Sequence, residues 1–229
     1  MAVKTINGVA TGSIKTVNGV AVASVKTWNG EAYPAATTYA IWDSANKDAS
    51  VNLTNGDLTM TPTTGGVYRG GKSTIGVSTG KWYWEFLVDP AGASSGNDGF
   101  GGVANSSQAN NNYPGSTTNS WGYYLASGSK FTNSSGTAYG ASLAEGDILM
   151  IALDMTNGKV WFGKNGTWQA SGDPGAGTNH AYSGLTGTLY AMFAGNGDTG
   201  VNSSVNTANF GASALTYSVP SGFNSGLYS

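Results

Sequence analysis

The segment that most restricts the fold is Gly146–Trp168, GDILMIALDMTNGKVWFGKNGTW. Its first part, Asp147–Asp154, is nearly all apolar, the composition of a strand covered on both faces. Lys159–Gly163 then alternates, so that Trp161 and Phe162 point to opposite sides of a sheet and one of them meets the core. Asn157-Gly158 and Asn165-Gly166 supply the residues that tolerate φ > 0, which tight hairpin connections need. A buried strand, a turn, a second strand and a second turn follow one another without room for a helix. The chain here has to pair antiparallel with itself, and Trp168, placed after the last turn, is expected to be exposed.

The same grammar runs through most of the sequence. Ser50–Met60, SVNLTNGDLTM, reads as a hairpin about Asn55-Gly56. Gly80–Asp89, GKWYWEFLVD, reads as a strand with Trp82, Trp84, Phe86 and Val88 on one face and Tyr83, Glu85 and Leu87 on the other. Glu85 is the one charge expected to be partly buried and paired. Gly99–Ala104, Trp121–Ala126, Leu189–Ala194 and Ala208–Phe210 are further short strands, and no window carries a capped helical period. Glycine, 36 of 229 residues, is about twice as frequent as usual, and only 10% of residues are charged. With 26 aromatic residues a disordered chain is disfavoured. The fold class is therefore all-β, an antiparallel β-sandwich, with Trp84, Phe86, Leu149, Ile151, Leu153 and Phe210 in its core.

The N-terminus is different. VKTINGVA begins at Val3, IKTVNGVA at Ile14 and VKTWNGEA at Val25, a repeat with a period of 11 residues. Each unit sets a short alternating run before Asn-Gly, so the reading is six short strands in a meander or a small roll. So small a segment cannot bury its own apolar face. Residues 1–35 are thus expected to form a β-hairpin module for attachment or oligomerisation, through Val3, Ile6, Ile14, Val17, Val25 and Trp28. EAYPAATTYA, residues 31–40, marks the boundary, and the sandwich occupies residues 41–229.

Composition excludes several function classes. A net charge of −2 offers no surplus of cations for phosphates, so nucleic acid is not an expected partner. No apolar run reaches the length of a membrane span, and MAVKTINGVATGS lacks the apolar stretch of a secretory signal. Cysteine is absent and His180 is the only histidine, so thiolate and multi-histidine metal sites within one chain are ruled out. His180 sits in a loop without a nucleophile elbow, which argues against a Ser-His-Asp triad. Glu145, Asp147 and Asp154 are close in sequence, the minimum a glycosidase would need, but Asp154 is placed to cap a turn. Gly96-Asn97-Asp98 and Asn196-Gly197-Asp198 could contribute to a calcium site, yet no spacing enforces one. No cofactor and no enzymatic activity are expected.

Six ordered motifs carry a family resemblance. Gly146–Trp168 resembles the central signature of SPRY (B30.2-like) domains: a buried strand ending in Asp, an Asn-Gly turn, an aromatic pair and a second Asn-Gly turn. Gly80–Phe86, GKWYWEF, is similar to that family's Gly-Lys-His-Tyr-Trp-Glu-Val strand, with Trp82 in place of a small or polar residue. FGGVA at Phe100–Ala104, SWGY at Ser120–Tyr123, ANFG at Ala208–Gly211 and VPSGF at Val219–Phe223 follow in the family's order. The upstream PRY-like motif of animal B30.2 proteins is missing, and residues 41–66 resemble the leader of phage and bacterial members.

The resemblance implies a non-catalytic sandwich that recognises partners through loops at one end. The longest loop is Asn105–Ser120, NSSQANNNYPGSTTNS; others are Asp89–Asp98, Gln169–His180 and Gly195–Asn206. The expected ligand surface combines Asn110, Asn111, Asn112 and Tyr113 with Trp168 and His180, an aromatic platform ringed by amides suited to a sugar or a peptide backbone. With the repeats, this points to a phage virion surface protein, either a tail-fibre or receptor-binding protein or a capsid decoration protein. Its partners would be other virion proteins, copies of itself, and a host-surface glycan or protein. A bacterial carbohydrate-binding module and an intracellular SPRY adaptor are the rival readings.

Overall fold

The computed structural model describes residues 37–88, 98–197 and 204–229, together with the backbone of six short N-terminal strands. Those strands are β1 (Thr5–Ile6) with β2 (Val9–Ala10), β3 (Thr16–Val17) with β4 (Val20–Ala21), and β5 (Thr27–Trp28) with β6 (Glu31–Ala32). Each repeat folds on itself. The registers Ile6↔Val9, Val17↔Val20 and Trp28↔Glu31 leave two residues, Asn-Gly, for every connection. The three strand pairs form separate two-stranded sheets, in place of the meander or small roll expected from the sequence. A two-residue connection pairs only its immediate flanks. Ile6, Val17 and Trp28 lie on these strands, whereas Val3, Ile14 and Val25 fall outside the described residues. The chain divides into two compact units, residues 1–38 with Ser229, and Tyr39–Tyr228.

The second unit is a sandwich. Its strands are β7 (Trp42–Lys47), β8 (Val51–Thr54), β9 (Thr59–Pro62), β10 (Tyr68–Val77), β11 (Lys81–Val88), β12 (Gly99–Ala104), β13 (Ser120–Tyr124) and β14 (Ser129–Thr132). They continue as β15 (Ser135–Ala138), β16 (Ile148–Asp154), β17 (Lys159–Lys164), β18 (Thr167–Trp168), β19 (Tyr182–Ser183), β20 (Leu189–Asn196), β21 (Asn206–Asn209) and β22 (Asn224–Ser225). One sheet runs β15-β14-β13-β12-β20-β10-β7. The other runs β18-β17-β16-β11-β21-β9-β8, with β19 beside β17 and β22 beside β11. All ladders are antiparallel except the short β11–β22 pair.

The core lies between the sheets, where Trp42 of the first meets Phe86 of the second at 5.3 Å between ring centroids, and Phe86 meets Phe193 at 6.3 Å. Trp84, Phe86, Leu149, Ile151, Leu153 and Phe210 are all fully or almost fully buried there, as alternation predicts. β16 is central and covered on both faces: Leu149, Ile151 and Leu153 face the sandwich core, while Met150 and Ala152 join a second cluster with Tyr83 and Trp161. Phe162 is in the first cluster and Trp161 in the second, so both aromatics of the hairpin are structural.

The two Asn-Gly turns do different work. Asn165 and Gly166 (φ 46° and 83°) form a two-residue connection between β17 and β18, closing the sheet edge. Asn157-Gly158 belongs to a four-residue turn between Asp154 and Lys159. Asp154 closes that turn by accepting from the Asn157 main-chain N–H at 3.0 Å and from its Nδ2 at 2.8 Å.

Both outer faces of the sandwich are roofed. Over the second sheet lie Leu215, Tyr217, Val219 and Phe223 of the C-terminal segment, packed on Tyr83 and Trp161. Glu85 fastens this roof. It is only 2% exposed, and its carboxylate accepts from the N–H groups of Thr216 and Tyr217 and from the Tyr83 hydroxyl, each at 2.8 Å. The partner expected for this buried charge is thus main-chain N–H and a phenol, with no cation among the described residues.

Candidate binding surface

The long Asn105–Ser120 loop roofs the first sheet. β10, β12, β13 and β14 bring Tyr68, Phe100, Tyr124 and Phe131 together on the face turned away from the core. Phe100 stacks on Tyr113 of the loop at 4.2 Å and on Tyr124 at 4.5 Å. Tyr68 and Phe131 approach Phe100 edge-on, each at 5.2 Å. Phe100 is 3% exposed although it faces outward, while the other four rings are half-buried. Gly122 of β13 lies so close beneath the Pro114 carbonyl that a Cβ there would collide with it.

Polar contacts fix the loop along its length. Gln108 is buried, accepting from the hydroxyls of Thr117 (2.6 Å) and Ser120 (2.8 Å) and donating to Ser116 Oγ (2.9 Å). Lys72, also buried, donates from Nζ to the Gln108 carbonyl at 2.7 Å and to Asn110 Oδ1 at 2.6 Å. Burial holds its pKa below the ordinary lysine value, against a smaller opposing effect of Asp43. Asn110 Nδ2 donates to the Asn46 carbonyl at 2.9 Å.

The residues expected to form one ligand surface are therefore divided. The Asn110 amide is consumed in holding the loop, and Asn112 Oδ1 accepts from the Tyr113 N–H at 2.9 Å. Asn111 is exposed, and its carbonyl accepts from Arg69 Nη1 at 3.0 Å. Tyr113 offers an edge, because one ring face is stacked. Trp168, expected to be exposed, is half-buried edge-on to Tyr83 at 6.1 Å, on the outer face of the other sheet. Two-residue hairpin geometry turns it back onto Gly163 of β17. His180 also belongs to that side, edge-on to Trp161 at 6.0 Å. Its buried Nδ1 has no hydrogen-bond partner, and burial, with the nearby Lys159 and Lys130 ammonium groups, holds its pKa below the ordinary imidazole value. The sandwich lies between Tyr113 and Trp168.

What gathers around Tyr113 was not legible from the sequence. Asp98 Oδ1 accepts from the Tyr68 hydroxyl at 2.5 Å and the Tyr124 hydroxyl at 3.0 Å, and its Oδ2 accepts from Asn196 Nδ2 at 3.0 Å. Burial first, then the carboxylate, raises both phenol pKa values, so the phenols keep their protons and donate them. Arg69 stands beside Tyr68, with Nε 3.6 Å from Asp48 Oδ1. Tyr68, Arg69, Asn111, Tyr113, Tyr124 and Phe131 make a partly open aromatic and amide surface ordered from below. Tyrosine and arginine held rigid in this way are the residue types that anchor protein interfaces. The one sequence signal was Tyr113 itself. Tyr68 sits in a Gly-rich stretch and Asp98 at the end of a loop.

Of the acidic residues considered for hydrolysis, Asp147 and Asp154 are separated. Asp147 accepts from Asn165 Nδ2 at 2.6 Å and pairs with Lys164 at 2.7 Å; Asp154 pairs with Lys81 at 3.3 Å. Asp147 immediately precedes β16 and Asp154 ends it, ~20 Å apart by strand rise. Of the loops proposed to hold calcium, Gly96, Asn97 and Asp198 lie outside the described residues, as do residues 89–97 and 198–203 of the two neighbouring loops. Among the described residues no three His, Cys, Asp or Glu side chains cluster to hold a metal ion.

Two packed antiparallel sheets with these six motifs in order define an SPRY-type sandwich. The SPRY domain family model matches residues 81–208, and the chain belongs to that family. The SPRY domain of human HERC1 is a similar solved structure, with a TM-score of 0.55 and 21% identity over 73% of this chain and 96% of that one. The stonustoxin structure is similar too, with a TM-score of 0.56 and 17% identity over 75% of this chain and 27% of that one. At such identities the likeness is one of fold. No curated protein sequence matches the chain. SPRY domains are generally non-catalytic interaction modules, and the aromatic surface fits that use.

Proposed function

We propose that this protein is a non-catalytic virion surface protein of phage type, in which the sandwich engages a protein partner through the surface around Tyr68, Arg69, Asn111 and Tyr113. The observation that carries the binding reading is the cluster of half-buried aromatic rings held by Asp98 and the fixed loop. Stacking of Tyr113 on Phe100 occupies one of the ring faces a sugar would use, which favours a protein partner over the glycan of a carbohydrate-binding module. The virion setting is supported by three tandem hairpins ahead of an Asn-, Gly- and Thr-rich β domain. In this reading the hairpins attach the protein or join copies of it, because two-residue strands cannot form a stable sheet alone.

Antibodies against the protein should label intact particles in electron micrographs of lysates containing the phage. Absence of label from all particles refutes the virion reading. Removal of residues 1–36 should leave a folded sandwich that sediments as a monomer, while the whole chain sediments as an oligomer or stays with particles. Unfolding of the truncated protein, or an unchanged oligomeric state, refutes the module. Reversing charge at Arg69 with Arg69→Glu should abolish partner capture without lowering the melting temperature by more than a few degrees.

A further inference from the structure

The space between the two sheets is lined by apolar side chains, and one corner of it breaks the pattern. Asn206 opens β21 on the side of Ala208, which faces the sandwich core. It lies in the second sheet, paired with Val88 of β11 and Met60 of β9. Two residues earlier the chain meets the first sheet: the Ser204 N–H donates to the Asn196 carbonyl, at the end of β20, at 3.0 Å. On β12 of that sheet, a Cβ added to Gly99 would collide with Ser204 Oγ and touch the Phe193 ring. Ser204 and Asn206 thus stand where the chain crosses from one sheet to the other, both turned into the interior.

Both residues are 0% exposed. Ser204 Oγ, Asn206 Oδ1 and Asn206 Nδ2 are all buried and find no hydrogen-bond partner among the described residues. Buried polar atoms are nearly always paired, because leaving each one unpaired forfeits the hydrogen bonds it made with water. Three such atoms within two residues of one another therefore call for a common partner. An apolar side chain at either position would have suited the surrounding core without this cost.

The three atoms select that partner. A cation would suit the two oxygens and be repelled by the amide N–H groups; an anion would meet the reverse conflict. Close packing excludes an organic molecule, since Cβ atoms on Gly99 and Gly195 would both collide with Ser204. Water donates and accepts, and it takes up only about 30 Å3. The reach also fits: two residues of chain span at most ~7 Å, and one water with two hydrogen bonds of ~2.8 Å bridges most of that. We propose that Ser204 and Asn206 form an internal water site, in which at least one water molecule links the Ser204 hydroxyl to the Asn206 amide at the seam between the sheets. Asn196, which receives the Ser204 N–H, also donates to Asp98 Oδ2 at 3.0 Å, so the seam adjoins the carboxylate that orders Tyr68 and Tyr124. The site does not depend on what that surface binds.

The test is water-selective NMR on the whole chain labelled with nitrogen-15, read at the Asn206 Nδ2 protons. They should show cross-peaks to the water line whose sign in the rotating-frame experiment is that of a dipolar contact with a long-lived water. Oxygen-17 relaxation dispersion of the same solution should lose amplitude in Asn206→Leu, which replaces the amide by an apolar side chain of similar size. Ser204→Ala, a smaller change that keeps the amide, should shorten the residence time of the water and leave the rest of the spectrum native. The proposal is overturned if the wild-type Asn206 protons show no water cross-peak or one of chemical-exchange sign alone. It is also overturned if folded Asn206→Leu keeps the full wild-type dispersion, or if Ser204→Ala leaves the residence time unchanged.

Discussion

Replacing Tyr113 by alanine separates a structural ring from a free recognition platform. The ring stacks on Phe100 at 4.2 Å and meets Tyr68 edge-on at 5.1 Å and Phe131 at 6.1 Å. Aromatic pairs contribute roughly 0.5–1.5 kcal/mol each beyond area burial, and three contacts of one ring do not add fully. Returning ~80 Å2 of apolar surface to water costs about another 2 kcal/mol. Tyr113→Ala should therefore destabilise the sandwich by about 3 kcal/mol, where a ring standing free in solvent would change stability by less than ~0.5 kcal/mol. With a urea slope of roughly 2 kcal/mol per molar, the midpoint should fall by about 1.5 M, read by tryptophan fluorescence. Tyr113→Phe should stay near wild type, since the stack is kept and no hydrogen bond to the hydroxyl is found among the described residues. An unchanged midpoint for Tyr113→Ala would refute the roof and restore the exposed platform.

Glu85→Ala should cost about 3 kcal/mol or more in a denaturant melt, because it orphans two main-chain N–H groups and the Tyr83 hydroxyl; a loss under ~1 kcal/mol would mean the C-terminal roof is held by packing alone. Leu153→Ala, in the sandwich core, should cost about 2–5 kcal/mol, and a neutral result would contradict the register of β16. Burial opposes the charges of Asp147 and Asp154, but hydrogen bonds and the Lys164 and Lys81 ammonium groups outweigh it and hold both pKa values below the ordinary 3.8. Their contribution is then present above that value and lost as pH falls through the depressed folded values. Acid titration of the urea midpoint should show this loss, and the double variant Asp147→Asn with Asp154→Asn should flatten it. A slope equal to wild type would assign acid sensitivity to other groups.

Local chemistry determined a large part of this protein. Alternation placed Trp84, Phe86 and Val88 on the core face of β11, and an unbroken apolar run marked β16 as doubly covered. Asn-Gly fixed where hairpins turn, because few other residues reach φ > 0 cheaply. The 11-residue repeat likewise marked where the three short N-terminal strand pairs lie, though not that they stay separate. These features depend on residues a few positions apart, which is why they are readable along the chain.

Tertiary structure decided the rest. β10 is the longest strand among the described residues, yet YRGGKSTIGV has no alternation; it is a strand because β20 and β7 pair with it on either side. Asn105–Ser120 has the composition of a solvated loop, and it became a roof because Lys72, Gln108 and the Phe100 ring wait beneath it. Glu85 found main-chain donors 131 and 132 residues away. Trp168 and Tyr113 share a composition and were expected side by side, but strand pairing sends them to opposite faces. Sequence patterns record the face on which a side chain leaves its own strand. Which distant segment covers that face is settled only when the two sheets close on one another.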